Sequence, residues 1–347
     1  MAKGRGGGGG GSGSIDDGWD APGEVKASLA FQIIWCIVTL FLFVAILLRL
    51  RFVPSGRYTR APYILLSIIA GTLSIAYLFS AILTRIPGSS TNVSFSALHG
   101  LDATSSILWD IDYAFGPAVC LWLVHLRGRL TSKNQGKAAK PWISHFWKRI
   151  IDWSLVAITF TIAVSMTAIL TNAWIMYRER RLQTMQLIDY LLLGRKLNFA
   201  AAAFNMFLAV NVVVSFISLK VSQKKANFVD PITTRLLVAV MPFVIIGFVK
   251  SMVITVYPER HPLTESTVYG FNLAFLIIDG LCKVGVIGGL LSTMTISNAL
   301  WVSGGAVGEG AGYVPQQSQH SIPQPPTAQW QGSPSTPSDP EKSGKYS

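Results

Sequence analysis

The chain has 347 residues, of which 50% are hydrophobic and only 13% charged, and its mean hydropathy is +0.44. That composition excludes a soluble globular fold and indicates a polytopic membrane protein. The net charge of +12 does not indicate nucleic acid: nearly all of the 29 Lys and Arg lie in short segments between apolar runs, where they fit membrane topology and contact with anionic headgroups.

The chain opens with MAKGRGGGGGGSGS, a flexible-linker composition without an apolar core, so no cleavable signal peptide is expected. The first apolar run then acts as the targeting signal. Residues 1–26 form a Gly-rich and then acidic tail carrying Asp16, Asp17, Asp20 and Glu24. A membrane span needs about 20 mostly apolar residues to cross about 30 Å of hydrocarbon as a helix. Seven runs qualify, at 27–48, 61–84, 103–126, 150–176, 197–219, 234–256 and 268–291. Helix is the required form, because open strands leave backbone groups unpaired in lipid. The predicted architecture is all-α, a seven-helix transmembrane domain over 27–291 followed by a Pro, Gln and Ser-rich tail over 292–347. From about Gly304 that tail has a disordered composition.

Loop charge sets the direction. The first connection carries Arg49, Arg51, Arg57 and Arg60; the third carries seven basic residues from Arg127 to Arg149; the fifth carries Lys220, Lys224, Lys225 and Arg235. These three are expected on the cytoplasmic side, which puts the N-terminus outside and the C-terminus inside. The sequon Asn92-Val93-Ser94 then falls on the lumenal side, where Asn92 is a candidate glycosylation site. The fourth connection departs from the charge rule, with Arg178, Arg180, Arg181, Arg195 and Lys196 on the outer side. Its Leu182, Met185, Leu192 and Leu193 suggest an interfacial helix over the extracellular mouth; the other reading is a miscounted span that inverts the last four helices.

Charged residues at mid-membrane cost about 2.5–3.5 kcal/mol each on insertion scales, so they face a partner or a cavity. Asp110, Asp112, Asp279 and Lys283 form this intramembrane polar set. Asp110 and Asp112 are two apart, about 200° around a helix, so they cannot face the same partner. Asp279 and Lys283 are four apart, with the acid toward the N-terminus, the favourable order for an intrahelical pair. One reading of that pair is purely structural; the other uses lysine chemistry, since a desolvated lysine attacks an aldehyde to give a Schiff base that needs nearby carboxylates. Asp102 and Asp152 fall near interfaces, Lys250 is long enough to snorkel outward, and His125 and His261 read as interfacial surface residues. Gly71, Gly247, Gly285, Gly288 and Gly289 suggest close helix packing. Cys36, Cys120 and Cys282 all lie in apolar runs, as packing residues without a disulfide or metal pattern.

The stretch Asp279-Gly-Leu-Cys-Lys283-Val284-Gly285 resembles the seventh-helix motif of microbial (type I) rhodopsins, and the seven-span, N-out arrangement is similar. The resemblance covers about a tenth of the chain. It implies retinal as the cofactor, Lys283 as the retinal-linked lysine, Asp279 as one counterion and Asp112 as the third-helix counterion. Trp109 stands where the family usually has an arginine, Gly116 and Pro117 replace a Thr pair, and Leu123 occupies the cytoplasmic proton-donor position, so proton pumping is not implied. Pro242 is kept in the sixth helix, while Val238, Met241 and Ile245 replace its retinal-packing aromatics.

Outside that resemblance the residues fix no cofactor, and three functions stay open. The first is a receptor or sensor in the plasma membrane or an endomembrane, taking a small-molecule ligand and coupling to a cytosolic signalling partner through basic loops. The second is the opsin-like photoreceptor. The third is a transporter or intramembrane enzyme that uses Asp110 or Asp112 with Asp279. No loop His cluster, Ser-His set or phosphate loop supports a particular reaction, and the third helix lacks the acidic-Arg-Tyr triplet of the largest receptor family.

Overall fold

A computed structural model describes residues 21–53, 57–86, 95–135, 142–225, 228–260, 265–296 and 305–306. Seven of its helices are long and apolar enough to cross a membrane, as the composition requires of an integral membrane protein. They are α1 (Gly23–Leu50), α2 (Arg57–Arg85), α3 (Phe95–Gln135), α4 (Phe146–Arg178), α5 (Thr184–Lys225), α6 and α7 (Glu265–Thr293). The sixth is built from Pro231–Arg235, a π-helical turn at Leu236–Val240, and Met241–Arg260. Asp230 caps it, accepting from the Ile232 N–H, and Pro231 sits at the first turn where its missing N–H is harmless. The π turn ends two residues before Pro242, which has no N–H to give to an ordinary helical ladder.

Each helix packs on its sequence neighbour, and α7 returns to α1, so the ring closes; α3 also crosses to touch α5. Leu66, Ile69 and Leu73 of α2, Val119 and Leu123 of α3, Val212 and Phe216 of α5 and Leu290 of α7 fill the interior. Apolar side chains such as Ile37 and Phe41 of α1 instead point outward, as lipid-facing positions do. Small residues set the approach of α7. A Cβ on Gly280 would overlap the Trp35 ring of α1, and one on Gly289 would lie 2.7 Å from the Ala239 carbonyl oxygen of α6. Gly288, expected to serve the same purpose, faces open space.

The fourth connection differs from expectation. No separate interfacial helix forms: after a short turn at 179–183 the chain enters α5 at Thr184 and continues unbroken to Lys225. With 42 residues, α5 is about 63 Å long at 1.5 Å per residue, so it extends well beyond the hydrocarbon. Gly194, seated against Leu170 of α4, ties its first part to the bundle. A two-residue antiparallel ladder pairs Phe228–Val229, in the connection between α5 and α6, with Gly305–Ala306. The sequon at Asn92, the tail before residue 21 and the tail beyond residue 306 lie outside the described residues.

Two buried polar clusters close the end of the bundle that carries the basic connections. Arg127 of α3 grips Asp230 with both arms, Nε to Oδ2 at 2.8 Å and Nη2 to Oδ1 at 2.7 Å, and Thr233 donates to the same carboxylate at 2.6 Å. Beside it, Asp152 of α4 receives Lys148, Asn211 of α5 at 2.6 Å and His125 of α3 at 2.7 Å. The other His125 nitrogen, Nδ1, lies 3.0 Å from the Ile143 carbonyl oxygen in a short 3₁₀ turn, Trp142–Ser144. Asp152 and His125 are therefore not water-exposed interface residues, since they are 1% and 6% exposed. Counting positions from the span ends missed the 3₁₀ turn that folds over them.

Candidate functional site

α3 and α7 face one another at mid-bundle, and each supplies acids one face at a time. Asp112 points toward α7, where its Oδ2 is 2.6 Å from Lys283 Nζ. Asp110, two residues earlier, turns to α4 and accepts a hydrogen bond from Thr167 Oγ1 at 2.9 Å. The helical period dictates this division, because positions two apart point in nearly opposite directions. Along α7, Asp279 Oδ2 lies 3.3 Å from Lys283 Nζ, the expected one-turn pair.

Lys250 corrects the sequence reading. Its ammonium does not snorkel outward; it forms an ion pair with Asp279 from the neighbouring helix. The result is a chain of alternating charge, Lys250, Asp279, Lys283, Asp112, running from α6 through α7 to α3. No acid precedes or follows Lys250 by one turn in its own helix, and that lack was the available signal for a partner elsewhere.

Aromatic groups hold the same centre. The Trp109 ring lies with its centroid 4.0 Å from Lys283 Nζ, within cation–π range. Its indole N–H donates to Ser80 Oγ at 3.3 Å, and Tyr77 packs edge-on against it at 4.8 Å between centroids. Trp109 thus gives Lys283 a π face at the position where the resembled family carries a cation, and sequence reasoning assigned it no contact.

These groups border a cavity of about 400 Å³ walled by α2 to α7. Asp110, Asp112, Asp279, Lys250 and Lys283 all contribute to its wall, together with Asn198 and Asn205 of α5. Met166, Phe243 and Phe248 are among its apolar surfaces, and Cys120 and Cys282 also border it. Gly116 leaves room beside Asp112, since a Cβ there would meet only Asp112 Oδ1 at 3.8 Å. The residues that the rhodopsin resemblance would assign to retinal, Lys283, Asp279 and Asp112, are brought together beside a space of ligand size.

No family model matches the chain, and neither a curated protein nor a solved structure matches it.

Proposed function

We propose that this integral membrane protein is a receptor- or sensor-type seven-helix bundle that takes a small molecule into its central cavity. One observation carries the reading: five ionisable side chains from three helices border a single cavity of about 400 Å³ instead of being packed away from open space. Polar groups converging on a largely apolar hollow are the usual composition of a small-molecule site. Because six helices wall the cavity, an occupant would contact most of the bundle, and a difference in its contacts between two helix arrangements would shift their populations. Loop charge supports the orientation in this proposal, N-terminus outside and basic connections facing a cytosolic partner, and the plasma membrane is proposed as the site of residence.

Access can be tested with N-ethylmaleimide on a Cys36→Ala protein, whose remaining thiols, Cys120 and Cys282, border the cavity. The reading expects adducts on the folded protein, counted by intact mass, and fewer of them when Gly116→Leu fills the space. Thiols that react only after unfolding would remove it.

A second reading is supported by the two carboxylates on Lys283. An aldehyde such as retinal, held covalently at Lys283, would find Asp112 and Asp279 positioned to balance a positive charge there. Paired-carboxylate catalysis has less support, because Asp112 and Asp279 are both engaged by Lys283.

A further inference from the structure

The charges around the cavity do not balance. Asp110, Asp112 and Asp279 face Lys250 and Lys283, three carboxylates against two ammoniums, and the excess falls on one residue. Asp112 and Asp279 are consumed by the lysines. Asp110 borders the same cavity, and among the described residues its carboxylate has the Thr167 hydroxyl but no cationic partner. Tyr113, three residues after Asp110 on α3, donates its hydroxyl to the Ala201 carbonyl oxygen of α5 at 3.3 Å, and Tyr113 and Asn205 border the same cavity as polar groups. A lone carboxylate at this depth is expensive and is stabilised by a cation that reaches it.

We infer that the cavity binds an organic cation, a primary or secondary amine whose ammonium pairs with Asp110 and whose apolar body lies against Met166 and Phe248. The volume is far larger than a monatomic ion needs, and the apolar walls would leave such an ion poorly coordinated, so a carbon skeleton fits better than sodium. Lys250 and Lys283 do not repel the ligand's charge from the site, because each is neutralised by its own carboxylate. The inference rests on the small-molecule reading above and adds the chemical class. If maleimide enters the cavity and amines do not bind, only the class fails; if maleimide is excluded too, the reading itself fails.

The experiment is thermal unfolding of the full-length protein in detergent with 2-phenylethylamine, propylamine or 1,5-diaminopentane, and with 2-phenylethanol as the neutral isostere. An amine in excess of its dissociation constant is expected to raise the midpoint by about 2–4 °C, the alcohol not at all. The shift should vanish in Asp110→Asn and persist in Thr167→Val, which keeps the carboxylate and removes only its hydroxyl donor. If Asp110→Asn does not fold, the amine-against-alcohol comparison on the unaltered protein decides. Equal stabilisation by the alcohol, reproduction of the shift by sodium chloride, a shift retained in Asp110→Asn, or no shift with any of the three amines would each overturn the inference.

Discussion

Lys283 of α7 and Asp112 of α3 meet at 2.6 Å, so the last transmembrane helix is tied across the ring to the third by one ion pair. Both side chains are largely buried, at 18% and 8% exposure, where removal of one partner strands the other. Lys283→Met is therefore expected to destabilise the protein by about 3–5 kcal/mol. Lys283→Met combined with Asp112→Asn should lose much less than the two single changes summed, read from unfolding in detergent as a double-mutant cycle. Simple additivity would show that the two residues are not coupled.

The covalent reading of the same lysine has a spectroscopic outcome. Purified protein incubated with all-trans retinal should develop a visible absorption band that Lys283→Ala abolishes and Asp112→Asn displaces, because the charge beside the chromophore changes. A folded sample that stays transparent in the visible removes retinal and leaves the non-covalent sensor.

At the basic end, Arg127 binds Asp230 through two parallel hydrogen bonds and is 1% exposed. Lysine cannot reproduce that fork. Arg127→Lys should lower stability by about 1–3 kcal/mol, and Arg127→Met by more, since it leaves Asp230 buried without a cation. Limited proteolysis at the α5–α6 connection would detect the loosening. Unchanged protection in Arg127→Met would mean the pair does not hold these helices together.

Two adjacent glycines on α7 supply an internal control. A Cβ at Gly289 meets the α6 backbone at 2.7 Å, whereas one at Gly288 meets nothing within 4 Å. Gly289→Ala should force α6 and α7 apart and cost about 1–3 kcal/mol, while Gly288→Ala should be neutral or slightly stabilising through helix propensity. Equal behaviour of the two variants in thermal unfolding would contradict the packing described.

How far the sequence reached depends on the range of each interaction. The seven helices are legible because span length and apolarity are local properties, and the opposite facing of Asp110 and Asp112 follows from the helical period alone. Asp279 beside Lys283 was visible for the same reason. The partner of Lys250 was not: its reach to solvent could be judged from its length, but the competing acid sits on another helix, 29 positions away in the chain. The start of α5 was hidden because LIDYLLLG reads equally well as an interfacial helix or as a helix running on. What decides is Gly194 packing against Leu170, a contact no composition signals. His125 and Asp152 were misjudged because their burial depends on the Trp142–Ser144 turn closing over a bundle end.

The π turn at Leu236–Val240 also fixes an angle. One additional residue per turn rotates everything beyond it by about 100° around the α6 axis relative to an uninterrupted α-helix. Asp230 at the start of this helix and Lys250 beyond the turn each face their partners in α3 and α7 only with that offset in place. Deleting a single residue from 236–240 would therefore force a choice between the two ends: whichever ion pair stays aligned, the other is swung away.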